Sequence, residues 1–230
     1  MPDLKNSKYA IPLVIIAGLI WSIGPLVVRN IDNAGSVPWQ YLFTRGVVIF
    51  FLLNVYLFFE EGIDFYKNYL KVGMSGIVGG IGLATAMTCF ILSITKTTAA
   101  VTLLTLAAMP FITALLGFLF LKEKISLNVW IAIIVASIGV SVIAFGSSSL
   151  GSLDGLIFGL LSATGFSVFS VSLRWRKETP KFTTVSLAGL FCALLSGIVI
   201  IQNDLNFLSS SKNESLFALH GTLVCIGLIL

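Results

Sequence analysis

The chain has 230 residues, of which 57% are hydrophobic and only 10% charged, with a formal net charge of +4. Soluble domains carry about 25% charged residues, and a soluble core cannot absorb this much apolar surface, so a water-soluble globular fold is excluded. The apolar runs also exceed the roughly 10 residues of a barrel strand, which leaves an all-α polytopic membrane protein whose basic excess is a topological signal rather than a nucleic-acid surface.

Eight apolar segments follow in order: Ala10–Val28, Trp39–Phe59, Val72–Ile94, Thr98–Leu121, Val129–Phe145, Leu153–Leu173, Thr183–Ile201 and Leu216–Leu230. The first begins just after Lys5 and Lys8 and reaches Arg29 without a small-residue cleavage pattern, so it reads as a span and not a signal peptide. Connections are short and punctuated by Asn33-Ala34-Gly35-Ser36-Val37-Pro38, Gly146-Ser147-Ser148-Ser149 and Thr179-Pro180. Alternating sides puts Lys5, Lys8, Lys67, Lys71, Lys122, Lys124, Arg174, Arg176, Lys177 and Lys181 on the side of the N-terminus, against Arg29, Lys96 and Lys212 on the other. Positive loops stay inside, which predicts a multi-pass protein of the cytoplasmic (inner) membrane with a cytoplasmic N-terminus.

The last segment runs to Leu230 with no flanking charge or aromatic anchor, so the sequence is expected to be part of a longer protein. A shift of 145 positions places Ser22 on Ser167, Arg29 on Arg174, Gly76 on Gly221 and Gly82 on Gly227, and sets segments one, two and three on six, seven and eight. A repeat of five spans must enter the membrane from opposite sides in its two copies, an inverted topology common among secondary transporters. The expected organisation is a first repeat over residues 1–146 and a second, incomplete one over 151–230.

Several residues stand out inside the spans. Arg45 is the basic residue set well within a segment, where a charge faces a cavity or a partner unless it reaches along its helix to the interface. Thr98, Thr102, Thr105 and Met109 recur at helical spacing, and this face either lines a substrate path or bonds neighbouring helices. Pro110 cannot donate to the Leu106 carbonyl, which predicts a kink and a candidate gating point. Trp21 with Ser22 and Pro25 reads as a cavity wall, and Asn54 as an interhelical hydrogen-bonder. The rows Gly151, Gly155, Gly159, Ala163 and Gly76, Gly80 allow close helix packing, and the first row continues to Ser167. Glu123 at a span end reads first as solvated charge and second as a proton-coupling group. Cys89, Cys192 and Cys225 all sit within apolar runs and read as packing residues, not a disulfide or metal set. Asn213-Glu214-Ser215 matches a glycosylation sequon that chance also produces.

The small residues Ala99-Ala100, the mid-helix Pro110 and the closing Lys122-Glu123-Lys124-Ile125, with Trp21-Ser22 and Arg45, make the chain resemble the EamA-type permeases of the drug/metabolite transporter superfamily. The resemblance implies ten helices in two five-helix repeats and transport of a small metabolite such as an amino acid or organic acid by alternating access. Arg45 would then orient an acidic group, Thr98, Thr102, Thr105, Ser22 and Ser167 would supply hydrogen bonds, and Trp21 an apolar wall. No catalytic residue, metal or cofactor is expected. The partners are a small-molecule substrate and the lipid bilayer, with no nucleic acid, and a homodimer is the self-association left open. Two alternatives remain: an intramembrane serine hydrolase using Ser167 and His220, which the topology places at opposite ends of their helices, or a non-transporting membrane subunit of a complex.

Overall fold

The computed structural model describes residues 7–146 and 152–229. Lys5, Ser147, Ser148, Ser149, Gly151 and Leu230, used in the sequence argument, lie outside the described residues. The described chain is helical throughout: α1 (Ser7–Ser22), α2 (Gly24–Arg29), α3 (Pro38–Glu61), α4 (Tyr66–Lys71), α5 (Gly73–Lys96), α6 (Ala99–Leu106), α7 (Met109–Leu121), α8 (Leu127–Gly146), α9 (Leu153–Trp175), α10 (Lys181–Gln202) and α11 (Ser211–Ile229). Among the described residues, six segments are long and apolar enough to cross a membrane: Ile11–Arg29, Pro38–Lys71, Gly73–Lys96, Ala99–Leu121, Leu153–Trp175 and Lys181–Gln202. Helices α8 and α11 correspond to the fifth and eighth apolar segments.

Two spans are interrupted, and prolines explain both breaks. Pro25 follows Gly24 at the start of α2, where its missing N–H removes no helix bond, and the chain tightens at Ile23, whose N–H reaches the Ile20 carbonyl at 3.2 Å. Pro110 does the same at the start of α7. The kink expected there takes the form of a short turn, with α6 ending at Leu106 and α7 starting at Met109 while Ala107 and Ala108 keep right-handed helical dihedrals.

Contacts at the helix ends sort the connections into two groups. At one end Lys212 pairs with Asp32 at 2.7 Å, and Lys96 meets Asp154 at 3.8 Å. At the other end Arg174 pairs with Glu123 at 2.7 Å, Ser75 bonds Thr179 at 2.6 Å, and the Arg176 guanidinium reaches the Lys71 carbonyl at 3.4 Å. These are the two groups that the alternation of apolar segments demands. Asn213, the sequon asparagine, belongs to the first group. Its amide donates to the Asp32 carbonyl and Ser209 Oγ and accepts from the Asp32 N–H, all within 3.1 Å, so it ties a loop down from a buried position.

The core lies where α3, α5, α10 and α11 meet, around Tyr41, Leu42, Ile49, Leu83, Ile91 and Phe217. Outward faces carry Phe51, Ile81, Leu194 and Ile198, as expected where the solvent is lipid. Contacts recur with a permutation. Helix α5 packs on α9 and α10, α11 packs on α1 and α3, and α3 packs on α10. Glycines make the closest crossings. A Cβ on Gly165 would stand 2.5 Å from the Gly82 carbonyl oxygen and 2.8 Å from the Ala86 nitrogen; one on Gly46 would stand 2.7 Å from the Gly189 oxygen. Gly76 of α5 faces Thr184 of α10, and Gly221 of α11 faces Val48 of α3.

Candidate functional site

Helix α3 starts with Pro38 in its first turn, and Arg45 lies seven residues on, about 10 Å into the span at the α-helical rise. One turn earlier on the same face is Tyr41. Both are buried, Arg45 at 7% exposure and Tyr41 at 2%. Helix α11 closes over them. Tyr41 Oη is hydrogen-bonded to His220 Nδ1, and the Tyr41 ring packs on Phe217 with centroids 4.9 Å apart. Gly221 makes room for this approach, since a Cβ there would stand 3.3 Å from the Arg45 carbonyl oxygen. The imidazole also fills the space beside Gly24 at the break in the first span, where a Cβ would come within 2.6 Å of Nε2.

Among the described residues no aspartate or glutamate is buried. Arg45 Nε and Nη1 are buried with no hydrogen-bond partner, and the ion pairs among the described residues all lie at helix ends and leave Arg45 out. A charge in the bilayer interior costs several kcal/mol unless it is compensated. An exposed arginine that reaches for the interface would bring its donors to water. Arg45 keeps Nε and Nη1 away from it, and its planar fork is the geometry that holds a carboxylate.

The other residues singled out in the sequence divide between two corners of the bundle. Trp21 joins the first: it lies against Gly227 of α11 and is half exposed. Ser22 is exposed and donates to the Leu19 carbonyl of its own helix at 2.7 Å. Thr98, Thr102, Thr105 and Ser167 gather at the second corner, around α5, α6 and α9. Thr98 caps α6, accepting from the Val101 N–H at 3.2 Å. Thr102 bonds Ser93 Oγ at 2.9 Å, and Ser93 donates to the Gly155 carbonyl at 2.7 Å. Thr105 donates to the Thr102 carbonyl and rests on Gly159, so the threonine face fits the glycine row of α9. Ser167 donates to the carbonyls of Met109, beside the Pro110 break, and Ala163. Asn54 bridges to Ser186 at 2.8 Å, as an interhelical bonder should. Ser167 and His220 therefore have different partners in different corners. A cavity of about 400 Å³ between α5, α7 and α9, lined by Val78, Leu116, Phe120, Val168 and Val171, contains none of these residues.

Two consequences can be measured. Ser93→Ala leaves the Thr102 hydroxyl and the Gly155 carbonyl without their shared partner, and is expected to lower stability by about 1 kcal/mol, read from the melting temperature. Glu123 folds back over the left-handed Lys122 to Arg174, and both side chains of this pair are about 40% exposed. Glu123→Gln is expected to change stability by less than about 1 kcal/mol.

Tyr41 carried no signal of its own in the sequence. Its spacing of four from Arg45, on a helix, was the available clue.

The comparisons with known proteins agree with this architecture. A family model described as the EamA-like transporter family matches residues 8–145. Two proteins of Helicobacter pylori, from strains J99 and 26695, are similar to the chain, each described as an uncharacterized transporter. Each is 28% identical, over 205 and 206 residues, and the aligned region covers 88% of this chain and 67% of the relative. With its apolar helices and a family match over more than half its length, the chain belongs to the EamA-like transporter family and is a multi-pass membrane transporter.

Proposed function

We propose that this transporter moves a small metabolite bearing an acidic group, by alternating access, and that Arg45 holds that group. The observation that carries the reading is a guanidinium with two buried donors and no carboxylate partner inside a membrane-spanning helix. Binding energy for an anion is available there because the cost of burying the charge is already present in the empty site.

The alternating-access half rests on an inverted repeat. Under the 145-residue shift, α9 corresponds to α1, α10 to α3 and α11 to α5. The contacts of α5 with α9 and α10 then become those of α11 with α1 and α3, and the α3–α10 contact maps onto itself. Gly76 and Gly221 face equivalent helices, which adds weight to an otherwise thin set of identities. Two repeats over residues 1–146 and 151–230 could rock about this axis. The end rich in Lys67, Lys71, Lys122, Lys124, Arg174 and Lys181 would face the cytoplasm of the inner membrane.

The test is counterflow of labelled monocarboxylates, dicarboxylates and amino acids in proteoliposomes. Uptake by the wild type and a loss of about 30-fold or more in Arg45→Gln is the expected result. Equal uptake by both overturns the role of Arg45.

A further inference from the structure

We infer that His220 takes up the proton that accompanies an anion to Arg45, with Tyr41 as the relay between them; this rests on the reading of Arg45 as the anion site. Among the described residues, the buried side chains include no aspartate or glutamate, and Arg45 and His220 are the ionisable nitrogen groups. An arginine keeps its proton, whereas histidine exchanges one near neutral pH. From α3, Tyr41 bonds the imidazole and Arg45 lies one turn further along the same helix face; from α2, Gly24 lies beside it, and Arg29 sits at the exposed end of that helix. On α11 itself Cys225 is buried, and Glu214 is engaged by Thr44 Oγ1 and the Ser209 N–H, each at 2.8 Å.

With the site empty, a second positive charge beside Arg45 in a low dielectric is unfavourable, so His220 stays neutral and the Tyr41 hydroxyl is tied to Nδ1. An anion at Arg45 removes the charge repulsion and sets a compensating negative charge nearby. A proton from solution then adds to the imidazole, Nδ1–H donates to Tyr41 Oη, and the freed phenolic O–H turns to donate to the anion. One proton enters with one negative charge, and nothing is oxidised or transferred covalently. By linkage, anion affinity falls as pH rises, by up to about tenfold per pH unit where one proton is taken up.

The experiment is titration calorimetry of the purified chain in nanodiscs, in buffers of different ionisation enthalpy. The probes are methanesulfonate, which stays ionised across the working range, and acetate. Uptake of close to one proton per anion is expected, abolished in His220→Gln, where anion binding should lose its pH dependence, and strongly reduced in Tyr41→Phe, where affinity falls as well because the anion loses a donor. Anion binding that requires Arg45 but takes up no proton overturns this inference and leaves the anion site standing. Absence of Arg45-dependent binding of either probe removes both.

Discussion

Arg45→Met is expected to make the protein more stable and to disable it. Methionine keeps most of the apolar length of the arginine stem while removing a buried charge whose Nε and Nη1 have no partner. Replacing buried ionic groups by apolar ones of similar volume commonly stabilises by about 1–4 kcal/mol, so thermal unfolding should move upward. Anion affinity should fall by roughly 30- to 1000-fold, the effect of losing 2–4 kcal/mol from a buried charged contact. The opposite signs matter. A residue kept for packing would lose stability on substitution, whereas one kept for binding places its cost on the folded state and its benefit on the complex. A melting curve and a binding isotherm on the same preparation check both halves.

Gly165→Val is expected to be among the most damaging single changes in the chain. The Cβ position there meets the Gly82 carbonyl oxygen at 2.5 Å and the Ala86 nitrogen at 2.8 Å, so backbone rather than a flexible side chain would have to move. Two long helices cross at that point, α5 and α9, and they share the most extensive contact in the bundle. Overpacking costs about 1–3 kcal/mol even where side chains can adjust; with backbone on the far side the loss should reach or exceed the top of that range. Gly139→Ala supplies the contrast, since a Cβ there meets nothing within 4 Å, and stability should hold or rise by up to about 1 kcal/mol. Comparing the yield of folded, monodisperse protein and the melting temperature of the two variants checks this. Equal behaviour would show that the α5–α9 crossing is loose.

The segments and their alternation were legible because hydropathy and loop charge are local properties, and the end-to-end contacts of Arg174 with Glu123 and Lys212 with Asp32 follow the same alternation. Arg45 was legible for the same reason: a charge in an apolar run needs no partner to be noticed. What it faces was not. Tyr41 and His220 are 179 positions apart, and only the packing of α11 on α3 brings them together. The threonine face shows a different limit. Helical spacing says that Thr102 and Thr105 share a side, but not whether that side meets a cavity or a row of glycines. Gly155 and Gly159 were read as close-packing positions independently, and the two features are halves of one interface. Pro110 marked the interruption of its span, whereas the seat that Gly24 offers to His220 depends on a contact with α11 that the local sequence does not specify.

The most direct test is the anion dependence of thermal unfolding, because a ligand that binds the folded state raises its stability in proportion to the logarithm of its concentration above Kd. Melting curves of the wild type and Arg45→Met would be recorded in lipid nanodiscs against acetate and methanesulfonate, with sodium chloride matching the ionic strength. The account predicts a saturable upward shift in the wild type and none in Arg45→Met. Equal shifts in both proteins, or none in either, would contradict it.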